Sequence, residues 1–402
     1  MSTGFRPLRY AALIFTAVAA VYLLTALALG RLSTPAFSYF DQLAAALLDG
    51  RLYLEQPGQT HDLSKFRGRW YVPFPPLPAL LMLPWQAALG SVNTTLFSIF
   101  VGAAGVTFIA LTLRQAQLNG WFTLSPATER LLIALYALGS VHWYMVVDGN
   151  VWFVSQVTVS AALALALWLA AGNRSPWLIG AAVGAAMLGR PHVGLFAVLA
   201  VGIMLHRDGL PQTRAEWRQR LAWFSALAVP SAAAFAVLLA YNWARFADPL
   251  NFGYTIQNIA ADLRGDLYRF GQFHPRFLER NLMSLLLLPP DTANRHGLLL
   301  PNMDGMSIFL TMPAVLLMFA ARGPRWIIAA AWLTIGLILI PLLTYYNTGW
   351  QQFGYRFSLD FLPAAILLIA FGAVRFPRSL PWLVGYGIIV NLLGTLWFHL
   401  LR

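Results

Sequence analysis

Runs of close to twenty apolar residues recur along the chain, separated by short connections in which arginine is the commonest charge. About 20 apolar residues suffice to cross a bilayer as helix. The runs fall near 10–30, 95–113, 127–147, 151–170, 176–189, 192–206, 222–243, 306–321, 325–345, 359–374 and 380–401, eleven in all. Charged residues make up only 10% of the 402, and hydrophobic residues 59%. A soluble domain carries about 25% charge. The composition therefore predicts an all-α polytopic membrane protein. The first run follows Arg6 and Arg9 as a signal peptide would, but it is long for one and many others follow, so it reads as a retained helix. With no cysteine, disulfides and thiolate metal ligands are excluded.

Orientation follows from the arginines. With the amino terminus in the cytoplasm, Arg6, Arg9, Arg114, Arg130, Arg174, Arg207, Arg214, Arg218, Arg220, Arg322, Arg325, Arg375 and Arg378 all fall inside, against only Glu129, Asp208 and Glu216. That is the bias that short cytoplasmic loops show. The net charge of +12 thus orients the chain, and no basic stripe or soluble domain suggests nucleic acid. Almost every acidic residue is left outside, mainly in two long loops at 31–94 and 244–305. The organisation reads as an amino-terminal transmembrane catalytic module (1–245, including the outer loop 31–94), an outer-face loop (246–305) and carboxy-terminal transmembrane helices (306–402). Polar groups gathered at one face favour an enzyme acting on lipid-linked material at the outer surface of the cytoplasmic membrane. A transporter or flippase would place them near the midplane; a noncatalytic assembly subunit would not need them.

The stretch WYVPFPPLPALLMLP (70–84) is apolar but holds five prolines. Proline removes backbone donors and clashes with the preceding helical turn, so the segment reads as interfacial or re-entrant on the outer side. Beside it, HDLSKFRGR (61–69) supplies His61, Asp62, Lys65, Arg67 and Arg69, followed by Trp70 and Tyr71 at headgroup level. The three cations could hold a phosphate or snorkel to lipid headgroups. Ser38 and Asp41 have capping-box spacing, so Asp41 reads equally as a helix cap and as a general base. Asp148 sits in a tight turn. Arg190 breaks two hydrophobic runs in Gly189-Arg-Pro-His192, and Arg356 precedes Asp360 in FGYRFSLD (353–360). A charge at that depth is costly unless paired or facing a wet cavity, and an arginine fork suits a phosphate. The second loop opens with aromatics around Arg245, and Arg264, Arg269, Arg276, Arg280 and Arg295 follow. No pattern for nucleotide binding or zinc hydrolysis occurs. No cofactor is indicated; a divalent metal would be compatible, but His61 and Asp62 side by side are not a metal-ligand pattern.

The segments SYFDQLAAALLDG, HDLSKFRGRWYVPFPPLPALLMLP, Asp148, AAVGAAMLGRP and GYRFSLDFLP resemble, in order, the class-C glycosyltransferases that use polyprenyl-phosphate sugars: the protein mannosyltransferases and the lipid A aminoarabinose transferase. The resemblance implies sugar transfer from a polyprenyl-phosphate donor to an acceptor hydroxyl of a lipid, glycan or protein, with inversion. It implies a first-loop carboxylate as base, Asp41 first and Asp62 second, with Asp148 a further acid. Arg356, Arg190, Lys65, Arg67 and Arg69 would hold the donor phosphate, and Tyr39, His61, Trp70, Tyr71, Arg245 and Tyr355 would line the substrate. The chain departs from the family pattern in placing Asp41 two residues after the helix tyrosine instead of an acid before it.

Overall fold

The computed structural model describes residues 7–292 and 300–401; Arg6 and Arg295 lie outside them. Among the described residues, helices and the loops joining them make up the fold, with one two-stranded hairpin. Its helices are α1 (Pro7–Ala28), α2 (Phe40–Leu48), α3 (Leu77–Leu89), α4 (Thr94–Leu118), α5 (Pro126–Leu138), α6 (His142–Val146), α7 (Val151–Ala171), α8 (Pro176–Met187), α9 (Ala197–Asp208), α10 (Arg214–Phe246), α11 (Ala261–Phe270), α12 (Leu278–Leu282), α13 (Ile308–Thr311), α14 (Arg325–Leu343), α15 (Leu362–Ala373) and α16 (Leu380–Leu396). The hairpin pairs β1 (Ser64–Phe66) with β2 (Arg69–Tyr71) antiparallel. Arg67 and Gly68, at φ 48° and 78°, make its two-residue turn, the geometry that suits the twist of paired strands.

Among the described residues, six helices are long and apolar enough to cross a membrane: α1, α4, α7, α10, α14 and α16 with its continuation to Leu401. This is a multi-pass membrane protein. The other five expected runs are short or broken. The run at 127–147 divides between α5 and α6 at Gly139-Ser140, and that at 192–206 begins as a 3-10 turn, Pro191–Phe196, before α9. The run at 306–321 is interrupted at Pro313, where α13 gives way to a second 3-10 stretch. Helices α8 and α15 have 12 residues each, about 18 Å against a hydrocarbon core of about 30 Å.

Helix α4 lies along α1 and α7, α7 along α8, and α8 along α10, while α14 packs on α9. Small residues permit the closest approaches. A Cβ on Gly180 of α8 would stand 2.1 Å from the Leu227 carbonyl oxygen of α10, so glycine is required there. Helices α2 and α3 pack together, and Tyr39, Phe40, Leu43, Leu63, Val72, Ala79 and Met82 join Val151 and Val154 of α7 in a second core.

The proline run resolves into an extended entry and a short helix. Pro76 caps α3 and Pro78 occupies its first turn, where a missing N–H costs nothing. Only Pro84 lies inside, and Gly90 ends the helix at φ 72°. Thirteen residues give α3 a length of about 20 Å. The Leu77 amide donates to the Leu188 carbonyl at 2.9 Å, which fastens this entry to the end of α8.

Candidate active site

The two long loops meet over the helix ends. The Asp62 amide donates to the Asn258 carbonyl and the Asn258 amide to the Leu63 carbonyl, both at 2.8 Å. The Ser64 hydroxyl donates to the Gly253 carbonyl at 2.8 Å. Beneath this junction is a cavity of about 900 Å³. Its walls come from the first loop (His61, Asp62), the proline run (Phe74, Pro75), the start of α7 (Trp152, Phe153), the break after α8 (Arg190, His192), and the segments around Tyr254, Tyr345 and Arg356.

One side of the cavity is cationic. Arg356 is 8% exposed and is held by neutral dipoles: Nε donates to the Gly349 carbonyl at 2.9 Å and Nη1 to Gln156 Oε1 at 2.6 Å. Among the described residues no carboxylate lies within 4.0 Å of it. Burial pushes its guanidinium down to about 10, and repulsion from Arg190 acts in the same direction, so it stays charged at neutral pH. Arg190 is paired: its Nε donates to Asp360 Oδ2 at 2.8 Å, and His192 Nε2 meets the same oxygen at 2.8 Å. Pro191 stops α8 from continuing and leaves Arg190 extended at φ −150°, turned toward Asp360. The two guanidinium carbons lie 5.0 Å (Arg190) and 4.8 Å (Arg356) from the centroid of the Phe357 ring, whose π-face favours cations. The result is two guanidiniums at the cavity, one of them paired with a fully buried carboxylate.

The facing groups are acidic and aromatic. Asp62 has a left-handed backbone, φ 61°, that brings its side chain to the cavity. Its Oδ2 accepts from Trp152 Nε1 at 2.7 Å, with His61 Nε2 at 3.8 Å. Burial raises its pKa above the usual carboxylate value, opposed in part by His61, Trp152 and Arg356. Asp62 and Arg356 therefore sense each other across the cavity without forming an ion pair. Asp148 also reaches the cavity, but its Oδ1 is occupied by the Asn150 amide (2.8 Å) and side-chain nitrogen (2.6 Å), closing the turn ahead of α7.

Of the residues singled out from sequence, His61, Asp62, Asp148, Arg190 and Arg356 line this one cavity. The rest lie elsewhere. Asp41 occupies the second position of α2, away from the cavity lining; burial raises its pKa, and the Ser38 hydroxyl lowers it. The helix there is capped by Tyr39, not Ser38. Lys65, Arg67 and Arg69 are exposed on the hairpin and stack on Trp70, Phe66 and Tyr53 respectively. Tyr71 is buried against Phe246. Arg245 is 2% exposed and holds the Val72 carbonyl (2.6 Å) and Asn242 (2.7 Å), a brace between α10 and the proline run. Tyr355 is buried edge-on to Phe357, and Tyr39 stands behind the lining, its ring edge-on to Phe37 and its hydroxyl donating to the His61 carbonyl at 2.7 Å. Sequence reasoning missed Arg31, Trp152, His192, Tyr345 and Tyr346, all of which line the cavity, as does Tyr254 from the aromatic opening of the second loop. Tyr345-Tyr346-Asn347, at the end of a hydrophobic run, was a legible signal that an interfacial aromatic belt also explains. No cluster of three or more His, Asp or Glu that could hold a metal ion occurs among the described residues.

Fold and cavity together define a polytopic α-helical membrane protein with a charged chamber roofed by two long loops. The same fold is found in the crystal structure of ArnT from Cupriavidus metallidurans bound to undecaprenyl phosphate, with a TM-score of 0.50 at 15% sequence identity over 92% of this chain. The chain spans 62% of the length of that protein. No family model matches the sequence, and no curated protein sequence does.

Proposed function

We propose that this chain is a membrane glycosyltransferase that moves a sugar from a polyprenyl phosphate to an acceptor hydroxyl at the outer face of the cytoplasmic membrane. The observation that carries the reading is the shared cavity. A carboxylate raised in pKa by burial and a guanidinium with no counter-carboxylate among the described residues line one chamber large enough for a sugar. The likeness to a fold crystallised with undecaprenyl phosphate supports it.

In this mechanism Asp62 takes the proton of the acceptor hydroxyl as that oxygen attacks the anomeric carbon. The bond from that carbon to the phosphate oxygen breaks, and its electron pair leaves with the lipid phosphate. Negative charge then builds where Arg356 and Arg190 point, which is the electrostatic stabilisation that most lowers such barriers. A single displacement inverts the anomeric centre. The lipid phosphate is itself the leaving group, so no nucleotide is consumed at the outer face.

The test is a transfer assay in membranes overproducing the protein, with a panel of radiolabelled polyprenyl-phosphate sugars, for the wild type and Arg356→Ala. Label should move to an acceptor in the wild type, and the variant should lose about 10²–10³ in turnover. Full activity in a normally expressed variant would remove Arg356 from the chemistry. Movement of intact donor between leaflets without transfer would replace the enzyme reading with a flippase.

A further inference from the structure

The carboxylate assigned as base is held by one group that the proposed chemistry does not use. Among the described residues, Trp152 Nε1 is the sole hydrogen-bond donor to the Asp62 side chain, at 2.7 Å to Oδ2. The indole is itself fixed. It sits in the first turn of α7, where the Val151 amide donates to the Phe37 carbonyl at 2.9 Å. Its ring is packed against Phe37 (centroids 5.6 Å apart), His61 (6.2 Å) and Phe153 (6.2 Å). A rotamer boxed in by three rings presents its N–H in one direction.

We infer that Trp152 is the positioning residue of Asp62: its indole N–H holds Oδ2 and leaves Oδ1 to take the acceptor proton. The inference rests on the reading of Asp62 as base. The other groups that act on this carboxylate cannot perform the same task. His61 Nε2 stands 3.8 Å from the same oxygen, beyond hydrogen-bond distance. Arg356 reaches it only through its field, and the Tyr39, Tyr254 and Tyr346 phenols interact with it electrostatically. A hydrogen bond to the ionised form favours that form. Without the indole, a desolvated carboxylate would keep its proton to higher pH and would turn toward His61.

The experiment is infrared titration of the purified full-length protein in detergent, following the protonated-carboxyl band that Asp62→Asn abolishes. In Trp152→Phe the midpoint should rise by about one pH unit, the scale of one hydrogen bond to a charged group. Trp152→His, which can supply a ring N–H, should return it toward the wild-type value. Isosteric replacement of Trp152 by benzothienylalanine removes only the N–H and replaces the phenylalanine variant if that fails to fold. An unchanged midpoint in the variant that folds overturns the inference. So does an equal rise in Trp152→His, which would assign the effect to ring packing. The transfer assay on Asp62→Asn decides separately whether the carboxylate is the base, so the two readings fail independently.

Discussion

Asp62→Asn is the smallest change that removes the proposed base, and the structure separates its chemical effect from its structural one. Asparagine tolerates the left-handed backbone at φ 61° better than most residues. Its amide oxygen can still accept from Trp152 Nε1, so the side chain keeps its position. What is lost is proton acceptance, worth about 10²–10⁴ in turnover, or roughly 3–5 kcal/mol of barrier. Stability should move the opposite way. Burial raises the folded-state pKa of Asp62 above its unfolded value, so the folded protein binds the proton more tightly. That contribution is fully present below the unfolded pKa and is lost as pH rises through the folded one. At neutral pH the wild type therefore bears the cost of a buried ionised carboxylate, and the asparagine does not. Turnover in reconstituted vesicles and the thermal midpoint, each measured at pH 4 and pH 7, provide the assay. The expected pattern is an inactive variant that is more heat-stable than the wild type at pH 7, with the gap narrowing at pH 4. Activity above about one tenth of wild type would refute the base assignment. A lower midpoint at pH 7 would refute the reasoning about its burial.

Asp41→Asn should leave turnover within about twofold, because Asp41 does not line the cavity; a loss like that of Asp62→Asn would return the base to α2. Asp360→Asn removes the carboxylate paired with Arg190 and His192, and Asp360 is fully buried. It should cost about 3 kcal/mol, the scale of breaking a buried ion pair, seen as a lower thermal midpoint together with weaker donor binding. Combined alanine substitution of Lys65, Arg67 and Arg69 should leave turnover on donor in detergent within about twofold, since all three are exposed on the hairpin. A large loss there would place the donor phosphate outside the cavity.

The long helices were legible because apolar length is a strong signal, and α1, α4, α7, α10, α14 and α16 fall on expected runs. The five short or broken runs were not distinguishable, because hydropathy cannot tell a span from a buried half-helix. Helix α15, apolar throughout, is buried by neighbouring helices at all 12 of its positions. The hairpin at 64–71 was missed although Arg67-Gly68 is a two-residue turn between short aromatic-bearing strands; the surrounding charges drew the reading toward a phosphate site. Asp148, Arg190 and Arg356 could be picked out because charge at the end of an apolar run is costly unless used, and Asp62 because it stands in the charged cluster 61–69 beside the proline run. Arg245 carries the same signal, and it serves packing instead, as do the singled-out aromatics Tyr71 and Tyr355. Arg245 shows why: it braces the Val72 carbonyl ahead of Pro73, a demand created by tertiary structure. Trp152 and His192 were missed because each depends on a partner distant in sequence, 90 residues for Trp152–Asp62 and 168 for His192–Asp360.

The distribution of charge across the cavity leads to a last prediction. Arg190 is neutralised by Asp360, whereas the Arg356 side chain is held, among the described residues, by the neutral groups of Gly349 and Gln156. Among the described residues the cationic wall therefore keeps one positive charge without a paired carboxylate, and Asp62 acts on it only through its field. A sugar phosphodiester is a monoanion, and the phosphate it releases approaches a dianion. An unneutralised cation placed at the leaving oxygen gains most in the transition state, which is what raises turnover instead of merely tightening binding. Arg356→Lys separates charge from geometry. Lysine keeps the charge but, as a single ammonium, cannot maintain the two anchoring bonds and still present a planar fork to the phosphate. If the gain is electrostatic, the lysine variant should retain substantially more turnover than Arg356→Ala, with a loss of about tenfold against about 10²–10³. If lysine and alanine fall equally, the anchored geometry decides, and Arg356 acts by orienting the phosphate. Equal activity of lysine and wild type would mean that neither bond to Gly349 nor Gln156 matters to the chemistry.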